Sequence, residues 1–259
     1  MRYAVRALGW ATKILWILII VFSATSVYSA INIRMSFGEP QVSFSNEFLV
    51  VSIPFSINNT GFYDLSELNI TANVMDHNGS LVATSSTFVP IIPRDSNIKT
   101  THNVSMSLDD IISKAQIYLF NDTIFNVNAS MKLIFAHAIP FQVSMNATIP
   151  WGAPFYNFSI GEISYVYHNL THQEVIIPLS FENHSPYFGV DGTMRVEIFN
   201  RSGEPVGSET LSMDVPPHSG YNGQVELVAD VSKLTPSGEV HFFFETSVFS
   251  FGPVVMPYG

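Results

Sequence analysis

The stretch "VSIPFSINNTGFYDL", Val51 to Leu65, is written a second time as "VIIPLSFENHSPYFG", Val175 to Gly189. Extended to 51–96 and 175–220, the two segments align without a gap. Pro54/Pro178, Ser56/Ser180, Asn59/Asn183, Tyr63/Tyr187, Gly79/Gly203, Val82/Val206 and Pro93/Pro217 stay in register. Proline and glycine punctuate the backbone, so holding them in register preserves a fold and not only a composition. Working outward, "SFGEPQVSFSN" from Ser36 answers "SIGEISYVYHN" from Ser159, and Ser113-Lys114 answers Ser232-Lys233. "IPWG" ending at Gly152 answers "MPYG" ending at Gly259. Two copies fill nearly everything after residue 33.

Each copy reads as β-structure. Apolar residues alternate at Val42 and Phe44, at Phe48 and Val50, at Ile53, Phe55 and Ile57, and at Val225 and Leu227, the period of strands with one buried face. Helical periodicity is hard to find beyond the N-terminal apolar run. Asp76-His77-Asn78-Gly79 and Asn200-Arg201-Ser202-Gly203 hold the same place in each copy and supply residues that tolerate positive φ, which predicts two hairpin tips. Pro54 and Pro178 have no N–H to donate, so their strand is expected at a sheet edge or a bulge. Copy one alone carries "QIYLFNDTIFNVN" from Gln116, expected as an extra hairpin or long loop and as the first candidate for a contact surface.

The run Ile14 to Ile33 contains no charge and is about as long as a bilayer-spanning helix, with Arg2, Arg6 and Lys13 before it. A retained anchor and a cleaved secretory signal share this layout, Val27-Tyr28-Ser29 serving as the small-residue cleavage site in the second case. Either way the basic flank stays inside and the rest is exported. Of the eleven Lys and Arg, eight follow the apolar run and face all twenty-one Asp and Glu, a net charge of 8 − 21 = −13. So acidic a body, with no cluster of Lys or Arg, is a poor partner for nucleic acid. Cysteine is absent, which excludes disulfides, thiol catalysis and thiolate metal sites.

Export agrees with the density of Asn-X-Ser/Thr triplets, at Asn58, Asn69, Asn78, Asn103, Asn121, Asn128, Asn146, Asn157, Asn169, Asn183 and Asn200. Eleven of eighteen asparagines start a triplet, where about three would by chance. All eleven lie after the apolar run and are read as glycosylation sites of an ectodomain.

The layout of each copy, in the pieces "VSIPFSINN" and "VIIPLSFEN", the hairpins at Gly79 and Gly203, and the turns "IIPRDS" and "VPPHSG", resembles the late embryogenesis abundant type-2 family, the water-stress and hypersensitive-response domain. That resemblance implies a seven- or eight-stranded non-enzymatic sandwich and transfers no catalytic residue. Asn58-Asn59-Thr60 and Asn183-His184-Ser185 replace the family's Asn-Pro-Asn, which leaves a generic immunoglobulin-like sandwich open. Many triplets without cysteine also resemble archaeal surface glycoproteins. The expected architecture is all-β: a basic flank (1–13), a transmembrane anchor or signal (14–33), and two tandem immunoglobulin-like sandwiches (34–155 and 156–259).

Chemistry is sparse. His168 and His172 would align two imidazoles for a metal on a helix, but the segment lies between strands, carries its own triplet and lacks a third ligand. His77, His184 and His218 read as solvated loop residues. Asp109-Asp110 reads as a turn, since calcium needs more oxygen donors at regular spacing. In "HFFFE", Phe242, Phe243 and Phe244 cannot all enter one core, so one face is expected to meet the other copy or a partner. No nucleophile elbow, phosphate loop or dinucleotide fingerprint occurs, and no cofactor is expected. The leading expectation is a non-enzymatic anchored surface protein of the envelope or of a membrane complex. A secreted filament subunit exchanging residues 31–46, and an extracellular small-ligand module with a pocket between the sandwiches, are the alternatives.

Overall fold

The computed structural model describes residues 2–45, 48–114, 116–136 and 138–259. Helix α1 spans Arg2–Ile31, and within it Arg6–Ile31 is long and apolar enough to cross a bilayer. It stops where the Asn32 amide turns back to the Ser29 and Tyr28 carbonyls. The apolar run read through Ile33 is therefore divided: Ile33 opens the first strand.

The first sandwich comprises β1 (Ile33–Phe37), β2 (Gln41–Ser45), β3 (Phe48–Asn59), β4 (Leu65–Met75), β5 (Leu81–Ile92), β6 (Ser96–Ser107), α2 (Leu108–Lys114), α3 (Ile117–Phe120), β7 (Thr123–Phe135) and β8 (Ile139–Trp151). The second comprises β9 (Tyr156–Ile160), β10 (Ser164–Tyr167), β11 (His172–Asn183), β12 (Val190–Asn200), β13 (Pro205–Val215), β14 (Ser219–Asp230), β15 (Gly238–Thr246) and β16 (Ser250–Tyr258). In copy one, β3 pairs β6 on one side and β1 and β2 end to end on the other, against a sheet ordered β5-β4-β7-β8. Copy two repeats this strand for strand: β11 with β14, β9 and β10, against β13-β12-β15-β16. All pairs are antiparallel, and the chain is two tandem immunoglobulin-like β-sandwiches after an N-terminal helix.

Alternation builds the cores. On β3, Leu49, Val51, Ile53, Phe55 and Ile57 point inward with almost no exposure, each contributing about 1.5–3 kcal/mol of burial. They meet Leu65, Leu68, Ile70, Val74 and Phe125 of the facing sheet. His102, whose counterpart on β14 is Val225, is an exception. It lies buried in β6, its ring nitrogens 2.8 Å from Ser85 Oγ and Thr87 Oγ1, and burial lowers its pKa.

The hairpin tips fall where expected, with Gly79 at φ 81° and Gly203 at φ 78°. Asp76 Oδ1 accepts from the Asn78 and Ser80 amides, and Asn200 Oδ1 accepts from those of Ser202 and Glu204. The prolines depart from expectation. Pro54 and Pro178 lie on strands paired on both sides, and the missing donor falls at the break between the two short flanking strands. There the Gly38 and Gly161 amides each donate to the proline carbonyl at 2.8 Å, so the ladder closes without a proline N–H. The added stretch of copy one is neither hairpin nor loop: it forms α3 and the start of β7. Asp109-Asp110 opens α2 and not a turn. Four- and seven-residue helices are too short to display a 3.6-residue period, which is why neither was visible in the pattern.

Candidate functional site

The molecule has two joints of the same design. At the first, the last turns of α1 enter the loop after β3. Ser29 is fully buried there, its hydroxyl accepting the Phe62 amide at 2.8 Å. Thr25 Oγ1 lies 2.6 Å from the Tyr63 hydroxyl, Tyr28 stacks on Phe62, and Thr60 donates to the Asn32 carbonyl. Gly61 makes the approach possible, since a Cβ there would sit 2.8 Å from Ser29 Cβ and 3.1 Å from its carbonyl oxygen. Gly61→Val is expected to lift α1 off the sandwich at a cost of about 1–3 kcal/mol, read as new proteolytic cleavage between Thr25 and Ile33.

The second joint repeats this with β8 in the place of α1. Gly152 runs against the backbone of His184 and Ser185 in the loop after β11. The His184 amide donates to the Ala153 carbonyl, and Tyr187 Oη to that of Pro150. Trp151, Phe155, Phe188 and Phe249 fill the space between the sandwiches, and one continuous apolar cluster runs through both. The ligand-module alternative required a pocket in this space, which the aromatic rings occupy. Helix α3 is the wedge. Its Leu119 carbonyl accepts the Phe155 amide at 2.9 Å, and Phe120 packs on Phe155, Phe158 and Phe251. Tyr118 fixes the wedge through its carbonyl to Trp151 Nε1 and its hydroxyl to Asp76, and burial followed by that carboxylate pushes the phenol up to about 12.

His184 is a loop residue as expected, but half-buried and held by partners rather than simply solvated. Its Nδ1 lies 2.8 Å from Asp122 of copy one, its Nε2 2.9 Å from Glu182, and its ring stacks on Tyr156. Hydrogen bonding to Asp122, then to Glu182, raises its pKa. A folded pKa above the unfolded value means that this clasp is fully present below about pH 6.5 and is lost as pH rises through the raised pKa. His102 acts oppositely, its contribution being lost as pH falls below its unfolded value. The difference in melting temperature between wild type and His184→Gln, followed from about pH 5 to 9, is expected to shrink with rising pH. A constant difference would exclude the clasp.

The far end of sandwich 2 is the counterpart of the end by which sandwich 1 grips its neighbour. Phe44 of β2 packs on Phe188 at 5.4 Å, whereas its repeat equivalent Tyr167 is 71% exposed. Leu108 is 0% exposed and its equivalent Val231 40%. Leu170, 91% exposed, lies in the turn after the short strand β10, whose outer edge is unpaired among the described residues.

No family model and no curated protein matches the chain. Among solved structures it is similar to a red sea bream transglutaminase, at 15% identity over 88% of this chain and 31% of that one, with a TM-score of 0.33. It is also similar to the BSP domain of a biofilm-associated protein, at 10% identity over 87% and 51% with a TM-score of 0.36. For the periplasmic chaperone SfaE the values are 11%, 86%, 98% and 0.30. The chain thus spans about a third and about half of the length of the first two.

The eleven triplet asparagines are scattered and form no single site. Asn78, Asn103, Asn121, Asn146, Asn157 and Asn169 are exposed, and Asn58, Asn69 and Asn128 half-buried. Asn183 and Asn200 are buried, and as glycan carriers they require correction. Asn183 Nδ2, the atom a sugar would modify, donates to the Phe188, Val215 and Pro216 carbonyls. Asn59, which starts no triplet, makes the equivalent bonds to Tyr63, Ile92 and Pro93. The shared asparagine is a structural stitch, and a glycan at Asn183 has no room in the fold. Asn200 Nδ2 is likewise bonded, to the Lys233 carbonyl at 3.1 Å.

The remaining candidates resolve locally. His168 and His172 flank a turn organised by Asn169 Oδ1, which accepts from the Thr171 and His172 amides. Among the described residues no group of three or more His, Cys, Asp or Glu is arranged to hold a metal ion. Phe242 and Phe244 point into the core of sandwich 2, and Phe244 reaches Phe155 at the joint. Phe243 faces outward under the Arg195 guanidinium, 4.0 Å from its ring centre, and so is covered by its own sheet and not by the other copy.

Proposed function

We propose that the chain is a non-enzymatic, N-glycosylated surface protein, a stalk of two stacked sandwiches held outside the membrane by a retained helix and serving as a structural or interaction module of the envelope or of a membrane complex. The burial of Ser29 carries this reading. Cleavage near Ser29 or Ala30 would remove the acceptor of the Phe62 amide and expose the groove at Gly61, so helix and sandwich 1 fit together as one piece. The secreted-filament alternative needs residues 31–46 free to enter a neighbour's sheet, whereas β1 and β2 are paired with β3. The alternating strand, glycine hairpin and proline turn of each copy are what supports a resemblance to the late embryogenesis abundant type-2 family in this reading. The tip at Tyr167 and Leu170 is where a partner docks, presenting an aromatic loop as Phe188 does to Phe44.

Membrane fractionation with N-terminal sequencing tests the anchor. A carbonate-resistant membrane protein that keeps its basic flank is expected; a soluble protein starting near Ala30 would overturn the reading. Intact mass before and after deglycosylation, with peptide mapping, should place glycans among the six exposed asparagines and none on Asn183 or Asn200. An unchanged mass removes the glycoprotein part.

A further inference from the structure

Between the last turns of α1 and the adjoining end of sandwich 1 lies a cleft of about 280 Å³. Val27 and Ala30 of the helix form one wall, Ile33 and Met35 of β1 another, and Ile139 and Phe141 of β8 the third. Val27, Ile139 and Phe141 stand exposed at its lip. The one polar side chain in this lining is Ser26, 7% exposed, whose hydroxyl is the only buried side-chain polar atom among the described residues without a hydrogen-bond partner. Two other hydroxyls of α1 bond back to their own helix, Thr12 donating to the Leu8 carbonyl and Thr25 to that of Val21. An apolar slot with a single hydroxyl facing it suits a ligand that is hydrocarbon along its length and carries one acceptor oxygen. A buried hydroxyl ordinarily finds such an acceptor.

The slot is continuous with the apolar surface of α1 and opens where that surface ends. We infer that it holds one hydrocarbon chain of an outer-leaflet membrane lipid, the chain lying against Ile139 and Phe141 and its ester or ether oxygen accepting a hydrogen bond from Ser26 Oγ. This rests on the reading of α1 as a retained anchor. The bound lipid fills the notch between helix and sandwich and holds the stalk at a fixed angle to the bilayer.

The full chain reconstituted in vesicles containing a trace of phospholipid with a diazirine near the carbonyl end of one acyl chain provides the test. After irradiation, adducts should concentrate at residues 27–35 and 139–141. Ser26→Ala should lower them about fivefold, the worth of one hydrogen bond, and Ala30→Phe, which fills the slot, should abolish them while the protein still floats with the vesicles. Flotation with adducts scattered along residues 14–22 and indifferent to both substitutions overturns the lipid site alone. Failure to float overturns the anchor reading and the lipid site with it.

Discussion

Gly152→Val is expected to break the stalk at its middle. A side chain at Gly152 would overlap the His184 carbonyl group and stand 2.9 Å from the Ser185 amide nitrogen, all of it backbone that cannot swing aside. The strand end must therefore back out of the loop after β11, taking with it the Ala153–His184 hydrogen bond, the Tyr187–Pro150 bond and the packing of Trp151 on Phe188. The loss should approach 4 kcal/mol, at the upper end for single substitutions. The loss falls on the joint and not on either core. Calorimetry should accordingly resolve one transition into two, because the apolar cluster that now runs through both sandwiches is cut between them. A single transition merely shifted downward would mean that the joint does not couple the two units.

Asn183→Ala is the second large effect. Three carbonyls, of Phe188, Val215 and Pro216, lose their shared donor, and the Ser185 amide loses the Oδ1 that accepts it. With each buried unsatisfied group costing about 1–3 kcal/mol and some relaxation toward solvent at Pro216, the net loss should be about 3 kcal/mol in chemical denaturation. Asn59→Ala should match it, since Asn59 bonds Tyr63, Ile92, Pro93 and the Gly61 amide in the same way. Asn103→Gln, at an exposed position on β6, should change stability by no more than about 0.5 kcal/mol. If Asn183→Ala behaved like Asn103→Gln, the structural assignment would fall and the glycosylation reading of that triplet would return.

These two residues also mark the limit of what the sequence discloses. The repeat was legible because proline, glycine and asparagine impose local backbone geometry, and local geometry is written in consecutive residues. Gly79 and Gly203 announced their hairpins, and the alternation on β3 announced its buried face. Asn183 carries two meanings in one triplet, and only its partners on a distant turn decide between them. The register of Asn59 with Asn183 was the available clue, because Asn59 has the same place without the Ser or Thr two residues on. Helix α3 was hidden for a different reason: four residues cannot show a period, and its burial depends on Phe155 and Phe158, which come much later in the chain. His184 looked solvated because the residues that hold it, Asp122 and Tyr156, lie in the other copy and in the first strand of its own. The docking of α1 was equally invisible, since a hydrophobic run read by composition gives no sign that Ser29 and Gly61 touch.

The chain contains no cysteine, so two introduced cysteines carry spin labels at defined places. Ser86 on β5 and Ser208 on β13 are exposed, one on each sandwich, and the distance between them reports directly on whether the two units move as one body. Pulsed dipolar spectroscopy on Ser86→Cys, Ser208→Cys should give one narrow distance distribution, which broadens when Gly152→Val is added. A distribution already broad or multimodal in the otherwise unaltered chain would contradict a rigid stalk.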